Sequence, residues 1–397
     1  MEELNGNLLG VGKMHSQKWM SLQFFIFFFT WGVFLPYWTG YLTNVKDMSV
    51  YAASIIMGAG MIARAFSTLV LFPELTKRYS IHIFLRILAI GSLITFVLYI
   101  PLSSFAMLMI ITILFSLVYP NLLPAMESCA SLLMQRDRIH YGRSRSFGSA
   151  GFMAAVLTIG FTTSWFGEQA ILWVMIGALT FVVIATAWKA PETLVDKPVR
   201  ENQQSTWQLA KVLMKQKEFV AALVIVVLIQ GSHASYNSYS FIYLQDIGVS
   251  NAWIGVIINI AVLAEIVLFM AADRLFGERK VMTMFIIAAI GANVRWIAIW
   301  LFPIASVFIA SQVLHAISFG LAHFAFIQFI ARSLDKASIP TAQGLYAAFA
   351  MSLSSAMLTF IGGYLYDIQP GYAFLGMLVF SLPALLMIVI RRKQLTI

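Results

Sequence analysis

Four residues that can hold or transfer protons interrupt three consecutive apolar stretches of this sequence. They are Glu265, Arg295, His315 and His323. A charged side chain at bilayer depth costs about 2.5–3.5 kcal/mol on insertion scales. Such residues usually face a cavity or one another, and they mark an ion or substrate pathway. The sequence therefore predicts a proton-coupling site built from these four residues.

Glu265 is the predicted proton-binding group of this set. A buried carboxyl group holds its proton more tightly than one in water, and a nearby guanidinium weakens that hold. Movement of Arg295 relative to Glu265 would then convert a conformational change into proton uptake or release. His315 and His323 are candidates for relaying the proton, because histidine titrates near neutral pH. The alternatives are a static Glu265–Arg295 pair between two helices, and histidines that make only polar helix–helix contacts.

Arg64 and Glu127 are the corresponding charged residues within apolar stretches of the first half of the chain. A guanidinium binds a carboxylate through two parallel hydrogen bonds, so Arg64 or Arg295 would suit a carboxylate substrate. Both Arg64 and Glu127 are therefore predicted to contact substrate. The alternative is a mutual Arg64–Glu127 salt bridge with no substrate role.

Two helical faces are predicted to line a substrate cavity. A polar face has the spacing i, i+3, i+7 and a tyrosine beside it. Its residues are Gln230, His233, Tyr236 and Asn237. An aromatic face in the first apolar stretch includes Trp31 and Trp38, which could stack on an aromatic substrate ring. Helix packing or an aromatic belt at the membrane interface is the alternative for this second face.

The composition predicts the class of protein. Of 397 residues, 60% are hydrophobic and 11% are charged, against about 25% charged in soluble domains. A soluble protein of this size could not cover so much apolar surface. The chain is therefore predicted to be an all-α polytopic membrane protein. A single cysteine, Cys129, excludes an intrachain disulfide.

Twelve apolar segments predict twelve transmembrane helices. The segments are 20–42, 51–72, 81–100, 104–131, 146–166, 169–188, 219–244, 251–272, 281–302, 304–331, 342–364 and 371–390. The charged stretch 189–218 is predicted to be a linker between two six-helix bundles. These bundles comprise residues 1–188 and residues 219–397.

The basic residues predict the orientation in the membrane. On this topology, 22 of the 26 lysines and arginines fall in loops or termini on the same side as the linker. By the positive-inside rule, that side is cytoplasmic and holds both termini. This placement accounts for the net charge of +9 without a nucleic-acid partner.

The turn between the eighth and ninth segments resembles a cytoplasmic signature of the major facilitator superfamily, D-R-x-x-G-x-R-R/K. The matching residues, predicted to form a gating turn, are Asp273, Arg274, Gly277, Arg279 and Lys280. The glycine permits a tight reversal, and the acid and bases can pair across helix ends. Residues 34–38, 58–64, 141–149 and 230–236 resemble the phenylpropionate permease branch, which is related to lactose and nucleoside proton symporters.

The resemblance implies a major facilitator fold and proton-coupled symport by alternating access. It also implies a small aromatic carboxylate, such as 3-phenylpropionate, as the substrate, a bacterial inner-membrane location and a monomeric state. No cofactor is expected, because the proton gradient supplies the energy. A sugar or nucleoside proton symporter is the alternative. A non-transporting membrane sensor or enzyme is a further alternative, although no catalytic, metal-ligand or P-loop motif is present in the sequence.

Overall fold

The computed structural model describes residues 2–76, 79–195, 206–276, 280–335 and 338–391, with side chains from residue 14 onward except at 206, 273 and 391. Within these ranges the regular structure is entirely helical, with no β-strand. The long helices follow one another with short connections. A short helix, Thr206–Leu213, lies in the predicted linker.

Each predicted segment coincides with an apolar helix in the described part of the chain. These helices are α1 Glu2–Asn44, α2 Val50–Thr76, α3 Ile81–Val97, α4 Phe105–Arg136, α5 Tyr141–Phe166, α6 Gln169–Ala187, α7 Lys217–Asp246, α8 Asn251–Phe276, α9 Val281–Leu301, α10 Ala305–Ser333, α11 Ile339–Ile368 and α12 Pro370–Ile390. Eleven of them are long and apolar enough to cross a membrane, and α3 is the exception.

Helix α3 has 17 residues, so at 1.5 Å per residue it is about 25 Å long. That length is slightly below the thickness of a typical hydrocarbon core, about 30 Å. Eleven helices long and apolar enough to cross a membrane are therefore confirmed in the described part of the chain, and the twelfth membrane span stays a prediction. Helix α5 begins at Tyr141, five residues before the predicted boundary, because the helix continues through polar and basic residues that end the apolar run.

Several of these helices are irregular along their length. Helix α7 is interrupted at Ser232 and His233, between Gly231 and Ala234. Single π-helical turns occur in α2, α10 and α11, at Ser67–Leu71, Ala316–Gly320 and Phe349–Leu353. π-Helical turns are rare and frequently occur at functional sites. His315, one of the predicted coupling residues, immediately precedes the turn in α10.

Two hydrophobic cores show how the halves of the chain pack. We call the end of the helices nearest residues 188–217 the linker end, and the other end the opposite end. One core joins first-half residues such as Trp38 and Phe96 to second-half residues at the opposite end, such as Phe241 and Tyr243. A second core, which includes Phe285, lies at the linker end and is formed by second-half residues together with Leu213 of the linker. The two halves therefore share a core towards the opposite end.

Polar contacts also connect the halves at the opposite end. The carboxylate of Asp367 in α11 accepts hydrogen bonds from the backbone N–H groups of Val50 and Tyr51, both at 3.1 Å. These groups form the first turn of α2, where backbone donors are otherwise unsatisfied. The side chain of Gln245 in α7 donates to Glu168 before α6, at 2.8 Å. Asp367 thus caps a helix of the other half.

A close backbone contact between α5 and α8 adds to this closure. A Cβ atom placed on Gly255 would lie 2.6 Å from the carbonyl oxygen of Val156, and one on Gly160 would lie 3.0 Å from that of Asn251. Only glycine allows two helices to approach so closely without displacing the backbone. The opposite end is consequently the closed end of the protein.

Replacing Asp367 with Asn should favour opening of the opposite end. The substitution removes the charge that accepts two backbone hydrogen bonds, and hydrogen bonds to charged groups contribute about 1.5–3 kcal/mol. We expect thiol labelling of a cysteine at Ser54, buried against Gly363, to become about tenfold faster in a Cys129→Ser background. Asp47→Asn removes the same charge from an exposed residue at this end and serves as the control. Equal labelling rates in Asp367→Asn and Asp47→Asn would contradict a role of the Asp367 hydrogen bonds in holding the opposite end closed.

Candidate functional site

A cavity of about 480 Å³ lies between the two halves. Its volume is in the range of small-molecule sites, about 300–1,000 Å³. The first half contributes side chains from α1, α2, α4 and α5, and the second half from α7, α8, α10 and α11. The predicted site residues that line it are Trp31, Arg64, Gln230, Tyr236, Asn237, Glu265, His315 and His323. Residues predicted from separate motifs are thus brought to one cavity.

Three of the predicted coupling residues form a chain of contacts in which His315 occupies the middle. Arg295 Nη1 lies 2.7 Å from His315 Nδ1, and His315 Nε2 lies 2.8 Å from Glu265 Oε1. A guanidinium can only donate hydrogen bonds, so His315 Nδ1 must accept. The ring hydrogen is therefore assigned to Nε2, which donates to the Glu265 carboxylate. A neutral His315 with this tautomer connects the other two residues.

The alternative of a static, direct Glu265–Arg295 pair is not formed in this structure. The His315 ring lies between these two side chains. His315 is the last residue before the π-helical turn of α10, and this position directs its ring towards Glu265 and Arg295. In this conformation Nδ1 is occupied by Arg295 and cannot take up a proton. Glu265 and His315 both line the cavity, and Glu265, with 21% of its side chain exposed against 8% for His315, is the more accessible of the two. His315 therefore orients Glu265 in this conformation, and its role in relaying a proton stays a prediction.

Arg295 is fully buried behind this chain of contacts. Its guanidinium carbon lies 4.1 Å from the centre of the Tyr236 ring and 4.8 Å from that of Trp296. Two of its nitrogens, Nε and Nη2, have no hydrogen-bond partner among the described residues. Cation–π contact is worth up to about 2 kcal/mol when desolvated, so the two aromatic rings offset part of the cost of burial. Arg295 does not line the cavity and is not placed to bind substrate directly.

The polar face of α7 divides into cavity-lining and buried residues. Gln230 and Asn237 line the cavity. His233 is fully buried, where its Nε2 lies 2.9 Å from the Ser318 hydroxyl and its ring packs edge-on against His315 at 5.5 Å. The interruption of α7 at this residue turns the ring towards α10. His233 therefore supports His315 from behind, and its predicted contact with substrate is not supported by its position.

His323 belongs to a second polar network in the wall of the cavity. Its Nδ1 lies 2.9 Å from the hydroxyl of Tyr346, which also accepts a hydrogen bond from Gln230 at 3.2 Å. His323 is eight residues beyond His315, about two helical turns along α10. The two histidines therefore lie at different depths in different networks.

In the first half, the alternative pairing of Arg64 with Glu127 is not formed. Glu127 lies 3.7 Å from Arg145 Nε and accepts a hydrogen bond from the Tyr141 hydroxyl at 2.8 Å. Arg64 instead places its guanidinium carbon 4.9 Å from the centre of the Trp31 ring. Arg64 lines the cavity and Glu127 does not. Glu127 therefore pairs with Arg145 within the first half, and its position does not support the predicted contact with substrate.

Trp38 lies away from the cavity in a cluster of aromatic side chains. It is fully buried and stacks on Tyr41, with ring centres 4.5 Å apart. Phe96 and Tyr99 lie at 4.7 and 4.8 Å. All four residues belong to the first half, so Trp38 packs that bundle together. Of the aromatic pair predicted from α1, only Trp31 faces the cavity.

The predicted gating turn is described only in part. Gly277 and Arg279 lie outside the described residues, as does the side chain of Asp273. Arg274 lies in the last turn of α8, and Lys280 is the residue before α9; both are exposed. The charge pairing across this turn stays a prediction.

Several residues of the site were not predicted from the sequence, among them Arg145, Phe319 and Tyr346. Phe319 stacks on the His315 ring, with centres 5.1 Å apart. Arg145 lines the cavity, and its guanidinium lies 4.1 Å from the centre of the Phe28 ring. Arg145, Ser149 and Phe152 share the spacing i, i+4, i+7, which would have indicated a cavity face had the start of α5 been placed correctly.

Comparison with known proteins gives the family. The MFS_1 like family profile matches residues 18–375. The chain belongs to the MFS_1 like family. It is 28% identical over 374 residues to the probable 3-phenylpropionic acid transporter of Escherichia coli (strain K12), covering 94% of this chain and 97% of that protein. It is 26% identical over 375 residues to the maltose permease of Geobacillus stearothermophilus, covering 94% of each.

Solved structures support the fold. A mutant of the nucleoside transporter NupG superimposes with a TM-score of 0.81 at 13% identity, covering 95% of this chain and 99% of NupG. The POT family transporter PepTSo superimposes with a TM-score of 0.72 at 10% identity, covering 96% of this chain and 99% of that one. The predicted resemblance to phenylpropionate permeases of the major facilitator superfamily is confirmed. The protein is a multi-pass secondary transporter and not an enzyme.

Replacing His315 with Ala should destabilise the second half. The change removes the hydrogen-bond acceptor of a fully buried guanidinium, which costs about 3 kcal/mol. We expect a lower melting temperature in detergent than for His140→Ala, which alters an exposed histidine. The double variant His315→Ala/Arg295→Leu removes the buried charge as well and should recover part of the loss. A double variant as unstable as His315→Ala, or more so, would contradict the proposed pairing.

Proposed function

We propose that this protein is a proton-coupled symporter that imports a small aromatic carboxylate, such as 3-phenylpropionate. On this proposal it has twelve membrane spans, cytoplasmic termini and a monomeric state, and it works in a bacterial inner membrane. The observation that supports the substrate class is a cavity with aromatic side chains and an arginine on one wall, where the arginine makes no ion pair within the described part of the chain. The opposite wall carries a partly buried carboxyl group.

Arg64 is the proposed carboxylate-binding residue. Among the described residues Arg64 makes no ion pair, and its guanidinium lies over the face of the Trp31 ring. A cationic group in a cavity without a counter-ion favours an anionic ligand, and a guanidinium binds a carboxylate in a bidentate manner. Trp31 and Phe152, which also line the cavity, would contact the substrate ring.

Glu265 is the proposed proton-binding residue. It is the cavity-facing end of the chain of contacts through His315 to Arg295. A substrate anion in the same cavity would favour a protonated Glu265, because two like charges at short range disfavour ionisation. Substrate and proton would then bind together. Uptake of a monovalent anion against an inside-negative potential would require at least one proton for each anion.

A sugar or nucleoside proton symporter is the second candidate. Its support is the set of neutral polar side chains in the cavity, among them Gln230, Asn237, Ser240 and Ser355. Amides and hydroxyls of this kind would bind the hydroxyl groups of a neutral solute. The similarity to a maltose permease and the shared fold with a nucleoside transporter also favour this class.

Transport by the purified protein in vesicles with an imposed pH gradient distinguishes the two candidates. Uptake of labelled 3-phenylpropionate should depend on the gradient and should be reduced by other aromatic carboxylates, but not by maltose or nucleosides. Gradient-driven uptake of a sugar or nucleoside alone would support the second candidate. Failure of every solute to move with protons would overturn proton coupling.

Replacing Arg64 with Gln should raise the KM for the carboxylate by about a hundredfold or more. Two hydrogen bonds to a charged group are lost, and each such bond contributes about 1.5–3 kcal/mol. Arg86→Gln makes the same change in an arginine that donates to the backbone of Thr186 and Ala187. It serves as the control in the same uptake assay. An unchanged KM in Arg64→Gln would remove Arg64 from the substrate site.

Replacing Glu265 with Gln should abolish proton-driven accumulation while sparing substrate exchange. The amide keeps the size of the side chain and accepts the His315 hydrogen bond, but it cannot take up and release a proton. Accumulation and exchange are measured in the same vesicles, with Glu192→Gln, an exposed residue after α6, as the control. Accumulation at the wild-type level would show that Glu265 does not couple transport to protons.

A further inference from the structure

A second groove, of about 740 Å³, lies at the linker end of the seam between α1 and α5. Its walls include Lys18, Leu22 and Phe25 of α1 with Arg143 and Phe147 of α5. At 100° per residue, these positions lie on the other side of the seam from Trp31 and Arg145, which line the central cavity. The groove therefore opens on the outer surface of the bundle, and it is separate from the substrate site.

Hydrogen bonds across the seam keep the two walls of this groove in place. The side-chain oxygen of Gln17 accepts from the backbone N–H of His140 at 2.7 Å. Its amide nitrogen donates to the hydroxyl of Ser144 at 2.6 Å. Further along, the backbones of the two helices meet where a Cβ on Gly151 would lie 2.1 Å from the Phe25 carbonyl oxygen. The groove is thus preformed by packing of α1 against α5.

The groove has a basic end and an apolar end. Lys18 and Arg143 are exposed and make no ion pair among the described residues. Below them, Leu22 and Phe147 are each 44% exposed. A free phosphate ion would use only the basic end and leave these apolar side chains uncovered. A ligand with an anionic head and a hydrocarbon tail would cover both.

We propose that this groove binds an anionic phospholipid. Lys18 and Arg143 would contact the headgroup phosphate, and an acyl chain would lie along Leu22, Phe25 and Phe147. Basic pockets between transmembrane helices bind anionic headgroups on the cytoplasmic side, where such lipids give the membrane a negative surface potential. The linker end is the end that the distribution of basic residues predicts to be cytoplasmic.

The test is native mass spectrometry of the full-length protein released from detergent, with phosphatidylglycerol or phosphatidylcholine of identical acyl chains added. The wild type should retain one phosphatidylglycerol in preference to phosphatidylcholine. Each basic group near an anionic lipid contributes about 1 kcal/mol, so Lys18→Gln/Arg143→Gln should weaken phosphatidylglycerol binding by about tenfold or more. Lys211→Gln/Lys215→Gln removes the same charge from exposed residues at the linker end and should bind like the wild type.

Two further measurements separate the headgroup from the tail and the lipid from a soluble anion. Phe147→Ala should weaken retention of both lipids, and millimolar glycerol 3-phosphate should not displace phosphatidylglycerol. Lys18→Arg/Arg143→Lys keeps both charges and should retain the preference, and an unchanged melting temperature of Lys18→Gln/Arg143→Gln shows that this variant is folded. The proposal is overturned if Lys18→Gln/Arg143→Gln keeps the wild-type preference, if the Lys211/Lys215 variant loses it equally, or if glycerol 3-phosphate displaces the lipid.

Discussion

The hydrogen-bonded contact of His315 with both Arg295 and Glu265 is the interaction on which the second half of the protein depends. A guanidinium without solvent contact is costly unless its donors are satisfied. Here one donor reaches an imidazole nitrogen, and two aromatic rings cover the cation. The three residues lie on α8, α9 and α10, so the contact fixes the rotation of each helix relative to the others. The π-helical turn directly after His315 allows α10 to present this ring while the helix continues towards the linker end.

The two halves satisfy their buried charges in different ways. In the second half, arginine, histidine and glutamate compensate one another within the bundle. In the first half, Glu127 contacts Arg145 and Tyr141, whereas Arg64 lies over the face of Trp31 and makes no ion pair in the described part of the chain. Arg64 therefore places a positive charge without an ion-pair partner among the described residues on the first-half wall of the cavity. An anion bound to Arg64 would balance the charge of the first half. It would lie across the cavity from the carboxyl group of Glu265.

The sequence predicted where the helices and the charged residues are, but not which residues contact one another. Apolar segments located each long helix, because length and hydrophobicity are local properties. Trp31 and Trp38 could not be distinguished, since both fit one aromatic face and only the packing of α1 against Phe96 and Tyr99 buries the second. Glu127 was matched with Arg64 by depth alone, while Arg145 was placed outside the membrane because basic residues end an apolar run. The insertion of His315 between two charges depends on helix rotation and a π-helical turn, and neither has a recognised signal in the chain.

The contacts that join Arg295, His315 and Glu265 lie within one half, and this limits how the proposed coupling can work. Glu265, His315 and Arg295 all belong to the second bundle, so a rigid rocking of the two bundles would leave their mutual distances unchanged. The contacts that such a movement must break are those between the halves at the opposite end, such as Asp367 with the first turn of α2. A proton bound to Glu265 would therefore stay bound during the rocking movement. What would change is the access of Glu265 to water and its distance from an anion held by Arg64, because only that distance spans the moving interface. In the proposed mechanism, coupling would be set between the halves, with substrate as the link, and the His315 bridge would keep the proposed proton-binding carboxyl group fixed while that distance changes.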